Sequence, residues 1–256
     1  MGAPAAAAHR PLVIGHRGEC AAYPENTRVS FDAALAGGAD GVELDLRPTR
    51  DGGVVVCHDA SLRRFRGSWR PLGRQTLAEL ATRDVGSWFD PRFHAERLLT
   101  LDALLSAYAG RTQLLLELKA AAGIGATARN RRLCRATVAA IARHGAERSV
   151  LILCFSSQLL AQVAELDPHL RLVRNCLRRP RDLTRWLSGQ PRLHGVDFDR
   201  RVLTRALVAQ CQELGLKVFT WSCNTPAAYA VLQGFQLDGI LSDRPSWLCA
   251  QVHGHG

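Results

Sequence analysis

Short apolar runs alternate along the chain with longer stretches in which alanine and leucine recur at helical spacing. The runs LLLEL at 114–118 and VLILC at 150–154 are typical of strands buried on both faces. NTRVSFDAALAGG, from residue 26, and RRLCRATVAAIARHG, from residue 131, are typical of amphipathic helices. Repeated strand–helix units form a parallel sheet covered by helices, so the alternation predicts an α/β fold. The chain has 256 residues, a normal length for one (β/α)8 barrel.

Nine runs qualify as strands, one more than such a barrel needs. GVELDL at 41–46 and VVVCH at 54–58 lie too close together for a helical crossover, which takes about a dozen residues or more. One strand is therefore expected to be irregular or outside the barrel. A plain antiparallel return at VVVCH would leave His58 far from the barrel mouth. The Arg- and Trp-rich segment 62–98 breaks the rhythm and is interpreted as an insertion over the mouth.

We expect one domain over residues 1–256, with residues 1–10 as a disordered lead. No run approaches the roughly 18 apolar residues of a membrane span, and MGAPAAAAHRPLV does not resemble a secretory signal. The eight cysteines are scattered and contain no CxxC pair. Several lie in apolar runs, where cysteine packs as a small hydrophobe, so reduced thiols and a cytoplasmic location are predicted.

The formal net charge is +10, and arginine supplies nearly all of the positive charge. Such a balance attracts anions, including nucleic acid, lipid surfaces and phosphate substrates. The simpler interpretation is a solvated, arginine-rich surface, because no compact basic block with interleaved aromatic residues is present. We therefore expect no specific nucleic-acid partner, and the sequence says nothing about protein partners.

Ionisable side chains recur within or at the ends of the apolar runs. In a (β/α)8 barrel the carboxyl ends of the strands meet at one face, where active sites form. Residues two apart on a strand point to the same side, as Glu43 and Asp45 do. The candidate site residues at these positions are His16, Glu43, Asp45, His58, Glu117, Lys119 and Trp221.

Three neighbouring carboxylates repel one another unless a cation lies between them. Oxygen ligands suit Mg²⁺ or Ca²⁺, so Glu43, Asp45 and Glu117 are candidate metal ligands. Two histidines that are free of the metal can act as general acid and base. Arg17 and Lys119 are placed to bind an anionic oxygen. Together these groups suit metal-assisted displacement at a phosphodiester.

Each residue also has a structural interpretation. A single histidine at a strand end is more often a hydrogen-bonded structural residue. Glu117 and Lys119 could form a structural ion pair inside the barrel. Asn26 or Thr27 is expected to cap the following helix, and Glu25 is given a structural role.

The motifs closely resemble those of the glycerophosphodiester phosphodiesterase family, the PLC-like phosphodiesterases with a TIM-barrel fold. The resemblance covers residues 12–248, and its combined N-terminal pattern is highly specific. The matching segments are His16-Arg17-Gly18, Pro24-Glu25-Asn26-Thr27, Glu43-Leu44-Asp45, Thr49-Arg50-Asp51-Gly52, His58-Asp59, Leu116-Glu117-Leu118-Lys119, Thr220-Trp221-Ser222-Cys223-Asn224 and Leu241-Ser242-Asp243-Arg244-Pro245.

The resemblance implies metal-dependent hydrolysis of glycerophosphodiesters, such as glycerophosphocholine or glycerophosphoethanolamine, to sn-glycerol 3-phosphate and an alcohol. It also implies a role for each candidate residue. One divalent cation, Mg²⁺ or Ca²⁺, would be bound by Glu43, Asp45 and Glu117; His16 and His58 would be the acid–base pair; Arg17 and Lys119 would contact phosphate; Trp221 would line the glycerol side of the pocket.

Three segments depart from the family pattern. The residues after His58-Asp59 include Leu62-Arg63-Arg64-Phe65-Arg66, Cys154-Phe155 replaces a Ser-Phe pair, and the tryptophan strand ends in Trp-Ser-Cys-Asn. The motifs therefore do not specify which alcohol the pocket accepts. Two alternatives remain beside the main hypothesis: a lysophospholipase D-type enzyme acting on lipids, and a basic non-catalytic anion-binding protein.

Overall fold

Eight parallel strands close into a barrel in the computed structural model, which describes residues 10–254. The first strand pairs with both the second and the last, which closes the ring and confirms the predicted (β/α)8 fold. The strands are β1 Leu12–His16, β2 Gly41–Pro48, β3 Val54–Val56, β4 Gln113–Leu118, β5 Val150–Cys154, β6 Leu172–Cys176, β7 Gly195–Asp199, β8 Lys217–Trp221 and β9 Gly239–Ser242. Only β3, among these described strands, is antiparallel to its neighbour.

Helices cover the outside of the barrel. Threonine or serine hydroxyls accept from backbone N–H groups at many of their first turns, as Thr27 and Ser156 do, which explains where these helices begin. The α-helices are α1 Arg28–Ala36, α2 Leu77–Leu80, α3 Leu101–Tyr108, α4 Ala126–Arg143, α5 Ser157–Leu166, α6 Leu183–Leu187, α7 Arg205–Glu213, α8 Pro226–Leu232 and α9 Pro245–His253. Short 3₁₀ turns lie at Arg63–Phe65, Leu72–Arg74, Pro91–Phe93 and Arg200–Val202.

Alternate residues of each strand pack on opposite sides of the barrel wall. Outward residues such as Leu44, Leu116 and Ile152 pack against the helices. Inward residues fill the interior, and this set consists of Ile14, Leu115, Leu151, Leu153, Val173, Phe219 and Leu241, all at most 2% exposed. Because the interior is packed with apolar side chains, polar inward residues concentrate at the mouth.

The ninth predicted strand lies outside the barrel, as expected, but the concern about His58 was wrong. β2 is eight residues long and extends beyond the mouth, where its Leu46, Arg47 and Pro48 pair with the antiparallel β3. The backbone N–H of Cys57 then donates to the carbonyl of Asp45 at 2.8 Å. The antiparallel return therefore carries His58 back to the level of Asp45 at the mouth.

The insertion at 62–98 forms a small apolar cluster of its own beside the mouth. Leu62, Phe65, Leu72 and Leu80 are buried in this cluster together with Val55 of β3. The chain rejoins the barrel where the N–H of Val56 donates to the carbonyl of Leu99 at 2.9 Å. The insertion is therefore anchored on the strand that leads to His58.

The predicted disordered lead lies outside the described residues except for Arg10. The guanidinium of Arg10 donates to Asp40 at 2.7 Å. None of the helices within residues 10–254 combines the length and apolar character required to cross a membrane. All eight cysteines are free thiols, and all but Cys20 are buried.

Candidate active site

A cavity of about 200 Å³ opens at the carboxyl ends of the barrel strands. Seven of the eight predicted site residues line it: His16, Arg17, Glu43, His58, Glu117, Lys119 and Trp221. The eighth, Asp45, is 1% exposed and contacts both Arg17 and Lys119. The structure therefore brings all of the predicted residues together.

Strand register sets the carboxylate cluster. Glu43 and Asp45 both point inward from β2, and Asp45 lies opposite Glu117 of β4. Oxygen atoms of all three lie within 4.8 Å of one another. Lys119 Nζ donates to Asp45 Oδ1 at 2.8 Å and to Glu117 Oε1 at 2.5 Å, so the predicted structural ion pair is also part of the site.

The charge of this cluster is only partly balanced by the protein. Burial and the neighbouring Asp45 raise the pKa of Glu43 to about 8. Burial also raises the pKa of Glu117, although Lys119 opposes the shift. Asp45 differs, because Lys119 and Arg17 outweigh burial and lower its pKa. The ionised forms of Glu43 and Glu117 are therefore destabilised in the folded protein.

These residues fit a divalent cation. The donor set is made of carboxylate oxygens, which hard cations prefer. Glu43 Oε1 is buried and has no hydrogen-bond partner, although such atoms are rarely left unpaired in proteins. A cation between Glu43, Asp45 and Glu117 would pair this oxygen and relieve the repulsion that raises the pKa of Glu43.

Asp243 is the main partner of His16, and it was noted in the sequence only as part of a motif. His16 Nδ1 lies 2.5 Å from Asp243 Oδ1, and His16 Nε2 lies 3.9 Å from Glu43. Asn224 Nδ2 donates to the other oxygen of Asp243 at 2.5 Å and so fixes that carboxylate. Burial disfavours the imidazolium, but Asp243 and Glu43 prevail and raise the pKa of His16.

His58 has a different environment. Its Nδ1 lies 2.9 Å from Asp59, but Arg64 of the insertion also donates to Asp59, at 2.8 Å. Arg64 additionally donates to Glu25 at 2.6 Å, and Glu25 accepts from Arg17 at 3.2 Å. Burial, with the charges of Arg17 and Lys119, outweighs Asp45 and Asp59 and lowers the pKa of His58. Glu25 was predicted to have a structural role, and in the structure it links the insertion to Arg17.

The prediction that Asn26 or Thr27 caps α1 was correct only for Thr27. Thr27 Oγ1 accepts from the backbone N–H of Ser30. Asn26 instead lies in the left-handed region, at φ 59°, and holds Asp45 from two sides. Its Nδ2 donates to Asp45 Oδ2 at 2.7 Å, and its Oδ1 accepts from the N–H of Asp45 at 3.2 Å. Asn26 therefore orients a candidate metal ligand.

The wall opposite the carboxylates combines aromatic and polar groups. The rings of Trp221 and Phe155 meet edge to face, with centroids 6.1 Å apart. Asn175 and Asp197 lie opposite each other on β6 and β7 and are almost fully buried. Both oxygens of Asp197 lack a partner, and its pKa is raised by burial and by Glu117 and Glu43. Sequence reasoning missed this pair, although Asp197 interrupts the apolar run GVDFD.

Solved structures with the same architecture include two phosphodiesterases. An Oleispira antarctica phosphodiesterase, solved in complex with the product sn-glycerol-3-phosphate, is 26% identical with a TM-score of 0.85, covering 95% of this chain and 97% of that one. The glycerophosphodiester phosphodiesterase of Agrobacterium tumefaciens is 25% identical with a TM-score of 0.78, covering 94% and 99%. A curated glycerophosphodiester phosphodiesterase of Caldanaerobacter subterraneus is 30% identical over 250 residues, covering 96% of this chain and 100% of that protein.

Residues 16–246 match the model of the glycerophosphoryl diester phosphodiesterase family. The chain belongs to this family. The family and the enzyme class predicted from the sequence are therefore confirmed. The cavity described above contains an acidic cluster that could hold a metal ion.

Proposed function

We propose that this chain hydrolyses glycerophosphodiesters, such as glycerophosphocholine or glycerophosphoethanolamine, to sn-glycerol 3-phosphate and an alcohol, with one Mg²⁺ or Ca²⁺ ion. The observation that supports this most is the convergence in one cavity of three carboxylates, two histidines, an arginine and a lysine. The glycerophosphate in the Oleispira relative supports the same product. Family membership also favours an enzyme over a non-catalytic basic protein.

The cation would be bound by Glu43, Asp45 and Glu117, where it would polarise a phosphoryl oxygen and favour the attacking alkoxide. Arg17 and Lys119, which contact Asp45, would turn toward the phosphate oxygens of a bound substrate. Trp221 would pack against the glycerol carbons, because it lines the same cavity.

The glycerol 2-hydroxyl would attack phosphorus and expel the alcohol, and water would then open the cyclic phosphate. His58, whose environment favours the neutral imidazole, would take the hydroxyl proton. His16, which lies between Asp243 and Glu43, is suited to hold the proton that the departing alcohol receives. When water opens the cyclic phosphate, the proton path would be reversed: His16 would take a proton from water, and His58 would return one to the glycerol 2-oxygen.

A direct test is the release of glycerol 3-phosphate from glycerophosphocholine with Mg²⁺, with Ca²⁺ and with EDTA. We expect activity with at least one cation and none with EDTA. His16→Gln and His58→Gln should each lose about 10²–10⁴-fold in kcat, whereas His169→Gln, a change at an exposed histidine far from the cavity, should not. Full activity in EDTA, or in either active-site variant, would refute the proposal.

A second groove favours a lipid-like substrate as the alternative. It has a volume of about 490 Å³, and Lys119 borders both it and the catalytic cavity. Pro48, Leu72 and Ala121 give it apolar walls, and Arg74 and Arg129 lie along it. An acyl chain on the glycerol, which a lysophospholipase D substrate carries while choline departs, would fit here. Comparing turnover of lysophosphatidylcholine and glycerophosphocholine decides between the two, since a groove-bound chain should lower KM for the lipid.

The cellular setting proposed is the cytoplasm. The eight unpaired thiols support this, because an oxidising compartment favours disulfides.

A further inference from the structure

More than half of the large apolar side chains that the described residues leave exposed lie at the barrel mouth. Four of the seven within residues 10–254 follow either β3, which pairs with the end of β2, or the neighbouring barrel strands β4, β5 and β6. These four, here called the apolar rim, are Trp69 at 69% exposed, Ile124 at 99%, Phe155 at 38% and Leu177 at 57%. Segments that follow barrel strands lie on the mouth face, so the rim occupies one continuous arc of that face.

Arginines alternate with the apolar rim. Leu177 is followed directly by Arg178, Arg179 and Arg181, all exposed. Arg66 and Arg74 are exposed on the insertion, near Trp69 in sequence. Within the described part of the chain none of these five arginines forms an ion pair with a carboxylate, so their charge is available to a partner. The guanidinium of Arg63 also stacks on Trp69, at 3.7 Å from the ring centre.

The opposite end of the barrel is different. Its exposed large apolar residues, Leu166 at 43%, Leu214 at 45% and Val231 at 63%, are single positions at or near the ends of α5, α7 and α8. Carboxylates there are matched with bases, as in the pairs Arg10–Asp40, Arg143–Asp102 and Lys217–Asp238. The far end also has exposed arginines without an ion pair among the described residues, namely Arg111, Arg148 and Arg192, but none of them adjoins an exposed large apolar residue in sequence. The two ends therefore differ in how basic and apolar side chains are grouped.

We propose that the apolar rim and its arginines dock the barrel mouth on an anionic lipid bilayer. Arginines would approach the negatively charged headgroups, while Ile124, Leu177 and Trp69 would enter the headgroup boundary. A nucleic acid would use the arginines alone, because aliphatic side chains such as Ile124 gain little from a sugar–phosphate backbone. The docked orientation would place the catalytic cavity against the membrane surface.

The test is sedimentation with vesicles of phosphatidylcholine alone and of phosphatidylcholine mixed with phosphatidylglycerol in equal parts. We expect binding to the mixed vesicles only, weakened by salt. The triple variant Arg178→Ser/Arg179→Ser/Arg181→Ser should bind roughly 100-fold more weakly, since each charge contributes about fivefold near such a surface. Ile124→Ser/Leu177→Ser should bind at least about tenfold more weakly, because apolar burial is lost.

Matched variants at the far end control for general effects of charge and polarity. Arg111→Ser/Arg148→Ser/Arg192→Ser and Leu166→Ser/Leu214→Ser alter exposed residues away from the mouth and should bind as the unmodified protein does. Circular dichroism melting of each variant shows that it is folded.

Three results would overturn the proposal: no binding to mixed vesicles, equal losses in the far-end variants, or full binding by Ile124→Ser/Leu177→Ser. The last result would mean that the arginines are attracted to any polyanion. Duplex DNA would then compete with the vesicles for the protein. Sedimentation requires no turnover, so its outcome is independent of the proposed hydrolysis.

Discussion

Single side chains in the site are held by partners distant in sequence, and Asn26 shows what such a partner contributes. Both of its amide atoms bond to Asp45, while its backbone has φ 59°, a value that glycine tolerates. Asn26→Gly therefore removes the two hydrogen bonds without adding backbone strain. Loss of such a supporting contact typically costs 10–100-fold in metal affinity, so we expect the cation concentration for half-maximal activity to rise by about that factor. Thr27→Ser keeps the cap oxygen and serves as the control; equal cation requirements in both variants would contradict this role of Asn26.

Protonation of Glu43 should compete with cation binding. In the protein without a cation, burial and Asp45 raise the pKa of Glu43 to about 8, so the group is mainly protonated at pH 6 and mainly ionised above pH 8. A metal ligand must be ionised, and binding therefore releases a proton. Apparent affinity for Mg²⁺ should increase by up to about tenfold per pH unit from pH 6 to 8 and then level off. Titration calorimetry at several pH values measures this directly, and an affinity that does not change with pH would exclude Glu43 as a titrating ligand.

At the scale of one element, the turn from β1 into α1 depends on Gly18. Its φ is +88°, and an added Cβ would lie 2.6–2.7 Å from the backbone carbonyl of Ser30 in α1. Gly52 has a similar φ of +91° but no atom within 4 Å of such a Cβ. Gly52→Ala should thus cost only backbone strain, about 1 kcal/mol, and Gly18→Ala about 3 kcal/mol or more in free energy of unfolding, because overpacking adds to the strain. Urea unfolding followed by circular dichroism compares them, and equal losses would show that α1 moves freely.

The existence of most elements was predictable, whereas their lengths and pairings were not. LLLEL and VLILC are continuous apolar runs, and they are strands in the structure as predicted. GVELDL also becomes a strand, but no pattern in it shows that β2 continues through Arg47 and Pro48 beyond the mouth. That extension decides where His58 lies, because β3 pairs along it. Apolar periodicity in the sequence indicates which residues are buried. It does not show which strand ends pair, because that pairing depends on the three-dimensional register.

At the scale of the whole molecule, barrel closure determines which residues meet. His16 and Asp243 are 227 residues apart and become neighbours because β9 pairs with β1. The sequence suggested Glu43, Asp45 and Glu117 as a group, since inward positions on neighbouring strands converge. It gave no comparable reason to pair Asn175 with Asp197, because a single polar residue in an apolar run is usually satisfied locally.

The closed ring also makes the carboxylate cluster a determinant of global stability. Glu43 and Glu117 are buried near Asp45, and their raised pKa values show that the fold bears their repulsion. A cation that binds only the folded state adds about 2.7 kcal/mol at a hundred times its Kd. For a domain of this size that corresponds to a rise of roughly 5–10 °C in Tm. Differential scanning calorimetry with MgCl₂ or CaCl₂, against NaCl of equal ionic strength, measures the rise.

The variant Glu43→Gln separates this effect from general screening. Removing one buried carboxylate relieves repulsion, so the cation-free variant should melt at a higher temperature than the cation-free parent protein. The same change removes a ligand, so added cation should stabilise the variant much less. Glu165→Gln, at an exposed position on α5, should change neither value. A rise in Tm that NaCl reproduces, or that Glu43→Gln retains in full, would show that the three carboxylates do not bind the cation together.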